Sequence, residues 1–251
     1  MGEPGFLQEV RLFENLEAEH RLRIEEKCKL HQVDRGNLVI RKGDENCDVF
    51  FVISGQVAVF SYIDAQNQVF LTEFFAGDMF GELAVIDGGT RSAWVVAASD
   101  VTLATLGGDD FMTAVTTHDV VALNTLKHFA GVIRGSSSRI RSLVLQSSRQ
   151  RVCTELIRMA GVTAKATGEG AISDMPSHEA LAAFSGADPE AVSRVIGDLM
   201  REGIIARKMR TMRILDVARL KLFAHEEDYQ NMDSEEGVQS LFNEIYSADG
   251  G

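Results

Sequence analysis

Residues 80–93 read FGELAVIDGGTRSA, placing Arg91, Ser92 and Ala93 nine to eleven residues after Glu82. A phosphodiester held away from bulk water needs a fixed cationic fork and several N–H donors. Arg91 and a turn of glycines and small residues supply both. Glu82 offers an acceptor for a sugar hydroxyl. The stretch therefore reads as a pocket for a ribose phosphate. Taken alone, the same pair also fits a salt bridge closing a loop, so the elements around it must decide.

Those elements change texture along the chain. Leu12, Leu16, Leu22, Ile24 and Leu30 recur at helical spacing over residues 6–30, which predicts short helices. From residue 36, Gly36, Gly43, Gly55, Gly77 and Gly81 punctuate the runs NLVIRK, VFFVIS, QVAVFSY and QVFLTEFF, followed by SAWVVAA and VTLATL. Short strands broken by Gly turns predict an antiparallel sandwich or jelly roll of about eight strands. After Asp110 the pattern is helical from about 111 to 147. Leu126, Ala130, Ile133, Ser137, Ile140 and Val144 alternate in steps of four and three, an a/d seam. A helix of about 27 residues rises about 40 Å at ~1.5 Å per residue, more than a small β-domain covers. Such a helix either pairs with a copy of itself or lies lengthwise on its own domain. Ser136 and Ser137 suit a polar ligand at the seam, or bond back to their own helix carbonyls.

A second motif lies in PSHEALAAFSGADPEAVSRVIGDLMREGII. Ser177 is placed to cap one helix, Ser185-Gly186-Ala187 forms a turn, and Asp188 caps a second helix with Pro189 in its first turn. Leu181, Phe184, Ala191, Val192, Val195, Ile196 and Leu199 give the pair an internal face, which is a helix-turn-helix pattern. Glu190, Ser193 and Arg194 then point outward, where Arg suits guanine and Glu suits cytosine in a major groove. IIARKMRTMRILD follows as two apolar runs around a basic tip, a hairpin wing setting Arg207, Lys208, Arg210 and Arg213 toward phosphates. Each feature has a plainer reading, as scaffold or solvated face, and the joint pattern outweighs either.

The net charge of −12 argues against a nucleic-acid partner until it is divided. Residues 1–149 hold 14 Lys/Arg against 20 Asp/Glu, residues 150–221 hold 11 against 9, and residues 222–251 hold none against 8. The helix-turn-helix segment is thus slightly basic, its cations clustering late with Arg201 at their start. Three Cys without CxxC spacing suggest neither disulfides nor a metal site, and no apolar run reaches a membrane span, so a cytoplasmic protein is expected. Cys153, His31, His118 and His128 lack the spacing of an enzyme's reactive groups.

GDENCDVFFVISGQVAV, FGELAVIDGGTRSA, the helix with Ser136-Ser137, and the helix-turn-helix with Glu190 and Arg194 together resemble the cyclic-AMP receptor protein and fumarate–nitrate regulator family of bacterial transcription factors, over about residues 10–217. The resemblance implies an α+β fold. Its parts are a β jelly-roll cyclic-nucleotide-binding domain (1–117), a dimerisation helix (118–147), a winged helix-turn-helix (148–221) and an acidic extension (222–251). Within it, Glu82 would take the ribose 2′-hydroxyl and Gly81 and Leu83 would lie against sugar and phosphate through backbone. Arg91 with Ser92 would hold the cyclic phosphate, Ala93 completing the loop. Ser136 and Ser137 would approach the purine, Ser137 from the other subunit. Ser177, His178, Asp188, Glu190, Ser193, Arg194, Arg207, Lys208 and Arg210 would form the DNA-facing set. The implied effector is cyclic AMP or cyclic GMP, without metal. The implied partners are double-stranded DNA, a second copy of the chain and RNA polymerase, with no membrane.

Two departures stand out. Pro189-Glu190 replaces the Arg-Glu of better-known members, removing one base-reading Arg, and His178 stands where an Arg to phosphate is frequent. An altered DNA preference or weaker binding is therefore expected. The same fold sensing an iron–sulfur cluster, haem or another metabolite, and a cyclic-nucleotide-binding regulatory protein acting through protein contacts, are the alternatives. The intact Glu82, Arg91 and Ser92 oppose the first, and the helix-turn-helix and wing oppose the second.

Overall fold

The computed structural model describes residues 5–62, 68–161, 170–173 and 175–224, and the chain divides into two compact units, residues 1–140 and 141–251. In the first, two 3-10 turns and α1 (Ala18–Glu25) precede β1 (Lys29–Val33), β2 (Leu38–Ile40), β3 (Val49–Ser54), β4 (Gln56–Tyr62), β5 (Gln68–Phe75) and β6 (Met79–Phe80). A short α2 (Glu82–Asp87) leads to β7 (Trp94–Ala97) and β8 (Val101–Leu106). These strands form two four-stranded sheets, ordered β1-β8-β3-β6 and β2-β7-β4-β5, with every pairing antiparallel. This is the expected jelly roll. The short β1 and β6 escaped the sequence reading, and Leu30, expected on a helix, lies exposed in β1.

β3 reads as an almost unbroken apolar run because both its faces are covered. Val49 and Phe51 pack with Leu7, Phe13, Leu106 and Phe111 on the helical side, whereas Val52 packs with Val57, Val95 and Leu103 between the sheets. The β3–β4 turn needs Gly55: φ is +81°, and a Cβ there would lie 2.3 Å from the Asp100 carbonyl oxygen.

The helical stretch expected from 111 to 147 is two helices, α3 (Gly108–Thr117) and α4 (Asp119–Leu145). The chain turns extended at His118 (φ −127°, ψ 108°), just after Thr116 and Thr117, whose hydroxyls bond back to carbonyls of their own helix. α4 has 27 residues and is fastened near its start by Asn124, whose side-chain amide donates to the carbonyls of Leu12 (3.1 Å) and Glu14 (2.9 Å). Leu126, Ile133, Ile140 and Val144 are 64–75% exposed on the single chain.

The second unit comprises α5 (Ser148–Ala160), β9 (Gly170–Ile172), α6 (His178–Ser185), α7 (Pro189–Arg201), β10 (Ile205–Lys208), β11 (Thr211–Ile214) and α8 (Val217–Ala224). Ser147 and Gln150 form a reciprocal capping box at the start of α5. Val192, Val195, Ile196 and Leu199, one face at steps of three and four, bury against Leu156, Leu181, Ile204, Met212 and Leu220. The wing is a three-stranded sheet, β10-β11-β9, rather than a bare hairpin. β9, three residues long, is too short to leave a periodic signal. Of the acidic extension, residues 225–251 lie outside the described residues.

Candidate nucleotide pocket and DNA-facing surface

Arg91 sits at the centre of the first site and is 4% exposed. Its backbone is zipped to the β2–β3 loop: the Arg91 N–H donates to the Asp44 carbonyl (2.9 Å), and its own carbonyl accepts from the Gly43 N–H (2.8 Å). The guanidinium donates from Nη1 to the Gly81 carbonyl (2.6 Å), and from Nη2 to the Asp48 carbonyl (2.7 Å) and Asn46 Oδ1 (3.0 Å). It lies 5.6 Å from the centroid of the Phe50 ring. Burial pushes its pKa below the usual arginine value, opposed by the negative fields of Cys47, Asp48, Asp44 and Glu82. All three acceptors are neutral. Among the described residues, no carboxylate lies within ion-pair reach of this guanidinium.

Gly81 makes the cradle close-fitting. Its φ of +85° turns the chain into α2, and a Cβ there would meet Arg91 Nη1 at 2.8 Å. Glu82 opens α2 and is 5% exposed, with Oε1 3.4 Å from Nε2 of His128 on α4. Leu83 and Ser92 are exposed, whereas Ala93 is buried. Glu82 and Arg91 form no salt bridge with each other, so the alternative loop-closing reading of that pair is set aside. Ser136 and Ser137 lie one after the other on the exposed length of α4.

Asn46 and His128 were missed. Asn46 lies in the quoted segment GDENCDVFF, where its Oδ1 also accepts from the Asp48 N–H (2.7 Å), so an Asx turn spaced before an apolar run was the available signal. His128 left none, because no sequence rule pairs it with a residue 46 positions earlier.

In the second unit the predicted caps are present. Ser177 Oγ accepts from the Ala180 N–H (3.2 Å), and Asp188 accepts from the Ala191 N–H (2.7 Å) with Pro189 in the first turn. Glu190, Ser193 and Arg194 are exposed on α7, the first and last as a loose intrahelical pair at 3.7 Å. His178 is half-buried, its Nε2 closed off from solvent and without a hydrogen-bond partner among the described residues. Arg207, Lys208, Arg210 and Arg213 are exposed on the wing, whose tip is Met209 at φ +55°. Arg201 pairs with Asp198 on its own helix, apart from that group.

The turn between α6 and α7 is held by Arg151 of α5. Its guanidinium donates to the carbonyls of Ser185 (2.9 Å), Gly186 (2.8 Å) and Gln146 (2.6 Å). Among the described residues, no group of His, Cys, Asp and Glu could hold a metal ion, and no helix is long and apolar enough to cross a membrane.

Residues 30–118 match the cyclic nucleotide-binding domain, and residues 150–223 match the Crp-like helix-turn-helix domain. The chain is 29% identical over 191 residues to a cyclic AMP receptor protein of Thermus thermophilus, covering 76% of this chain and 85% of that one. It is 24% identical over 197 residues to a CRP-like cAMP-activated global transcriptional regulator of Mycobacterium tuberculosis, covering 76% and 87%. In fold it resembles the c-di-GMP responsive global regulator CLP of Xanthomonas campestris, with a TM-score of 0.70 at 17% identity over 79% of this chain and 99% of that one. A crystal structure of a Eubacterium rectale regulator of the crp/fnr family gives 0.70 at 19% identity, covering 86% and 99%. With a cyclic nucleotide-binding jelly roll, a long helix and a Crp-like helix-turn-helix in one chain, this protein belongs to the cyclic-AMP receptor protein and fumarate–nitrate regulator family, whose members are transcription regulators and not enzymes.

Proposed function

We propose that the chain is a homodimeric DNA-binding regulator gated by a cyclic nucleotide, with cyclic AMP as its effector. The observation that carries this reading is the buried Arg91 guanidinium, fixed in direction by three neutral acceptors. A buried charge without a direct ion-pair partner is costly, on the order of several kcal/mol where no neighbouring charge offsets it, and an incoming phosphodiester supplies that partner. Glu82, buried nearby, accepts a ribose hydroxyl, while Ser92 and the backbones of Gly81 and Leu83 complete the sugar-phosphate half. The name of the Thermus relative supports adenine as the base.

The exposed apolar line on α4 is the surface on which two copies pair, which brings Ser136 and Ser137 to the purine, Ser137 from the second subunit. The nucleotide then biases the pairing of the two helices, and with it the placement of both α7 helices in major grooves about 34 Å apart. Ser177, His178 and Asp188 border the DNA at the helix starts. Glu190, Ser193 and Arg194 read bases, and Arg207, Lys208, Arg210 and Arg213 meet phosphates. Pro189 offers no donor, so the preferred half-site differs from that of members with Arg there. RNA polymerase is the further partner, and the cytoplasm the compartment.

Calorimetric titration with cyclic AMP and cyclic GMP on wild type, Arg91→Ala and Ser137→Ala tests the reading, with DNA binding measured with and without nucleotide. Wild type is expected to bind cyclic AMP more tightly than cyclic GMP, and Arg91→Ala to lose both. If wild type binds neither at micromolar concentration, the proposal fails; tighter cyclic GMP binding transfers the effector role.

A further inference from the structure

His128 projects from α4 into the wall of the same pocket. Its imidazole is stacked on Phe74, with centroids 6.3 Å apart and planes at 28°, and meets the edge of Phe129 at 5.6 Å. Its side chain is 18% exposed, yet Nε2 is wholly shut off from solvent. That nitrogen lies 3.4 Å from Oε1 of Glu82, without the alignment of a hydrogen bond. Among the described residues, the His128 imidazole is the only basic side chain within ion-pair distance of the Glu82 carboxylate, which accepts no hydrogen bond from them. A buried imidazole nitrogen without a hydrogen-bond partner thus faces, from α4, a carboxylate of α2 that accepts no hydrogen bond from the described residues. Leaving a buried nitrogen unpaired is unfavourable, and with its proton on Nε2 the ring has Oε1 as the acceptor at hand.

We infer that His128 is the positioning residue for Glu82: its Nε2–H holds Oε1, so that Oε2 is presented to the 2′-hydroxyl of the ribose. This rests on the reading of Glu82 as the ribose acceptor. A carboxylate has lone pairs for both partners at once. Because His128 belongs to α4, capture of the sugar on α2 is registered by the long helix eight residues before Ser136, about 12 Å along the helix at ~1.5 Å per residue. The ribose, and not only the base, then bears on how α4 is held.

The test compares cyclic AMP with 2′-deoxy cyclic AMP on wild type, His128→Leu, His128→Gln and Glu82→Gln, by calorimetry on the full chain. His128→Leu is expected to weaken cyclic AMP about tenfold, equivalent to ~1.4 kcal/mol, and to change 2′-deoxy cyclic AMP less than about twofold. His128→Gln, which keeps a donor near the Nε2 position, is expected to restore most of the loss. Equal weakening of both nucleotides by His128→Leu would mean general packing and overturn the inference. If His128→Leu does not fold, Glu82→Gln and His128→Gln decide: discrimination between the two nucleotides should collapse in the first and survive in the second, and the opposite pattern overturns it. Wild type binding neither nucleotide removes the proposed function and this inference together. Wild type binding both equally well removes this inference together with the ribose role of Glu82, and leaves the cyclic-nucleotide reading carried by Arg91 standing.

Discussion

The Arg91 guanidinium donates to the carbonyl of Gly81 at 2.6 Å, joining the two ends of the stretch that runs from Gly81 through α2 to Arg91. Gly81→Ala would put a methyl 2.8 Å from that same nitrogen and 3.2 Å from the Asp48 carbonyl, at a backbone φ of +85°. The substitution is expected to displace Arg91, weaken cyclic AMP at least about tenfold and destabilise the first unit by ~1–3 kcal/mol. Calorimetry and a thermal melt read both effects, and an unchanged affinity would remove the close-fitting cradle from the account.

Asn46→Ala removes one acceptor from Arg91 and the Asx turn that sets the Asp48 carbonyl toward it. With two of three contacts left, affinity is expected to fall about three- to tenfold, short of the loss for Arg91→Ala. A titration of both variants side by side ranks them.

The caps of α7 separate stability from readout. Asp188→Ala forfeits the bond to the Ala191 N–H and is expected to cost ~1 kcal/mol, lowering the melting temperature of the second unit. Glu190→Ala, on the exposed face, should leave stability within about 0.5 kcal/mol and change the preferred base at one position of the half-site. Selection of binding sites from a random pool checks the second half of this contrast.

Arg207→Ala with Lys208→Ala is expected to weaken binding to all DNA sequences alike. For each protomer, the slope of log affinity against log salt should fall by roughly 2. Fluorescence anisotropy at a series of salt concentrations gives the slope, and a sequence-dependent loss would assign these residues to base contacts instead.

The three cysteines are expected to differ in reactivity. Burial foremost, with Glu25 and Asp110 adding to it, pushes the Cys28 thiol up to about 12, and burial pushes Cys153 up to about 11. Cys47 is exposed in the loop that holds Arg91. Near pH 8 both shifted thiols stay protonated and unreactive, so iodoacetamide should modify Cys47 first and the other two only on unfolding. Intact mass with peptide mapping follows the order, and saturating cyclic AMP should slow the first step.

Where sequence carried the fold, it did so through local chemistry. Gly-punctuated strands, the Ser177 and Asp188 caps and the spacing of Val192, Val195, Ile196 and Leu199 are each decided within a few residues, and the structure has them where they were expected. The break at His118 was masked because α3 and α4 share one continuous apolar pattern. β6 and β9, two and three residues long, owe their existence to neighbouring strands and show no period of their own. The pocket divides in the same way. Glu82 and Arg91 lie close enough in sequence to be read together, but Asn46 and His128 reach Arg91 and Glu82 from 45 and 46 residues away, through the folded chain alone.

The two faces of α7 have separate obligations. Ala191, Val192, Val195, Ile196 and Leu199 are buried, and Arg151 pins the preceding turn to α5, so the fold depends on that inner side. Glu190, Ser193 and Arg194 touch none of this core, so a lineage can replace them one by one without losing a folded protein. Under the proposed function, such a helix changes its regulatory targets by single substitutions, and Pro189, which fits the first turn while lacking a donor, lies on that same replaceable side.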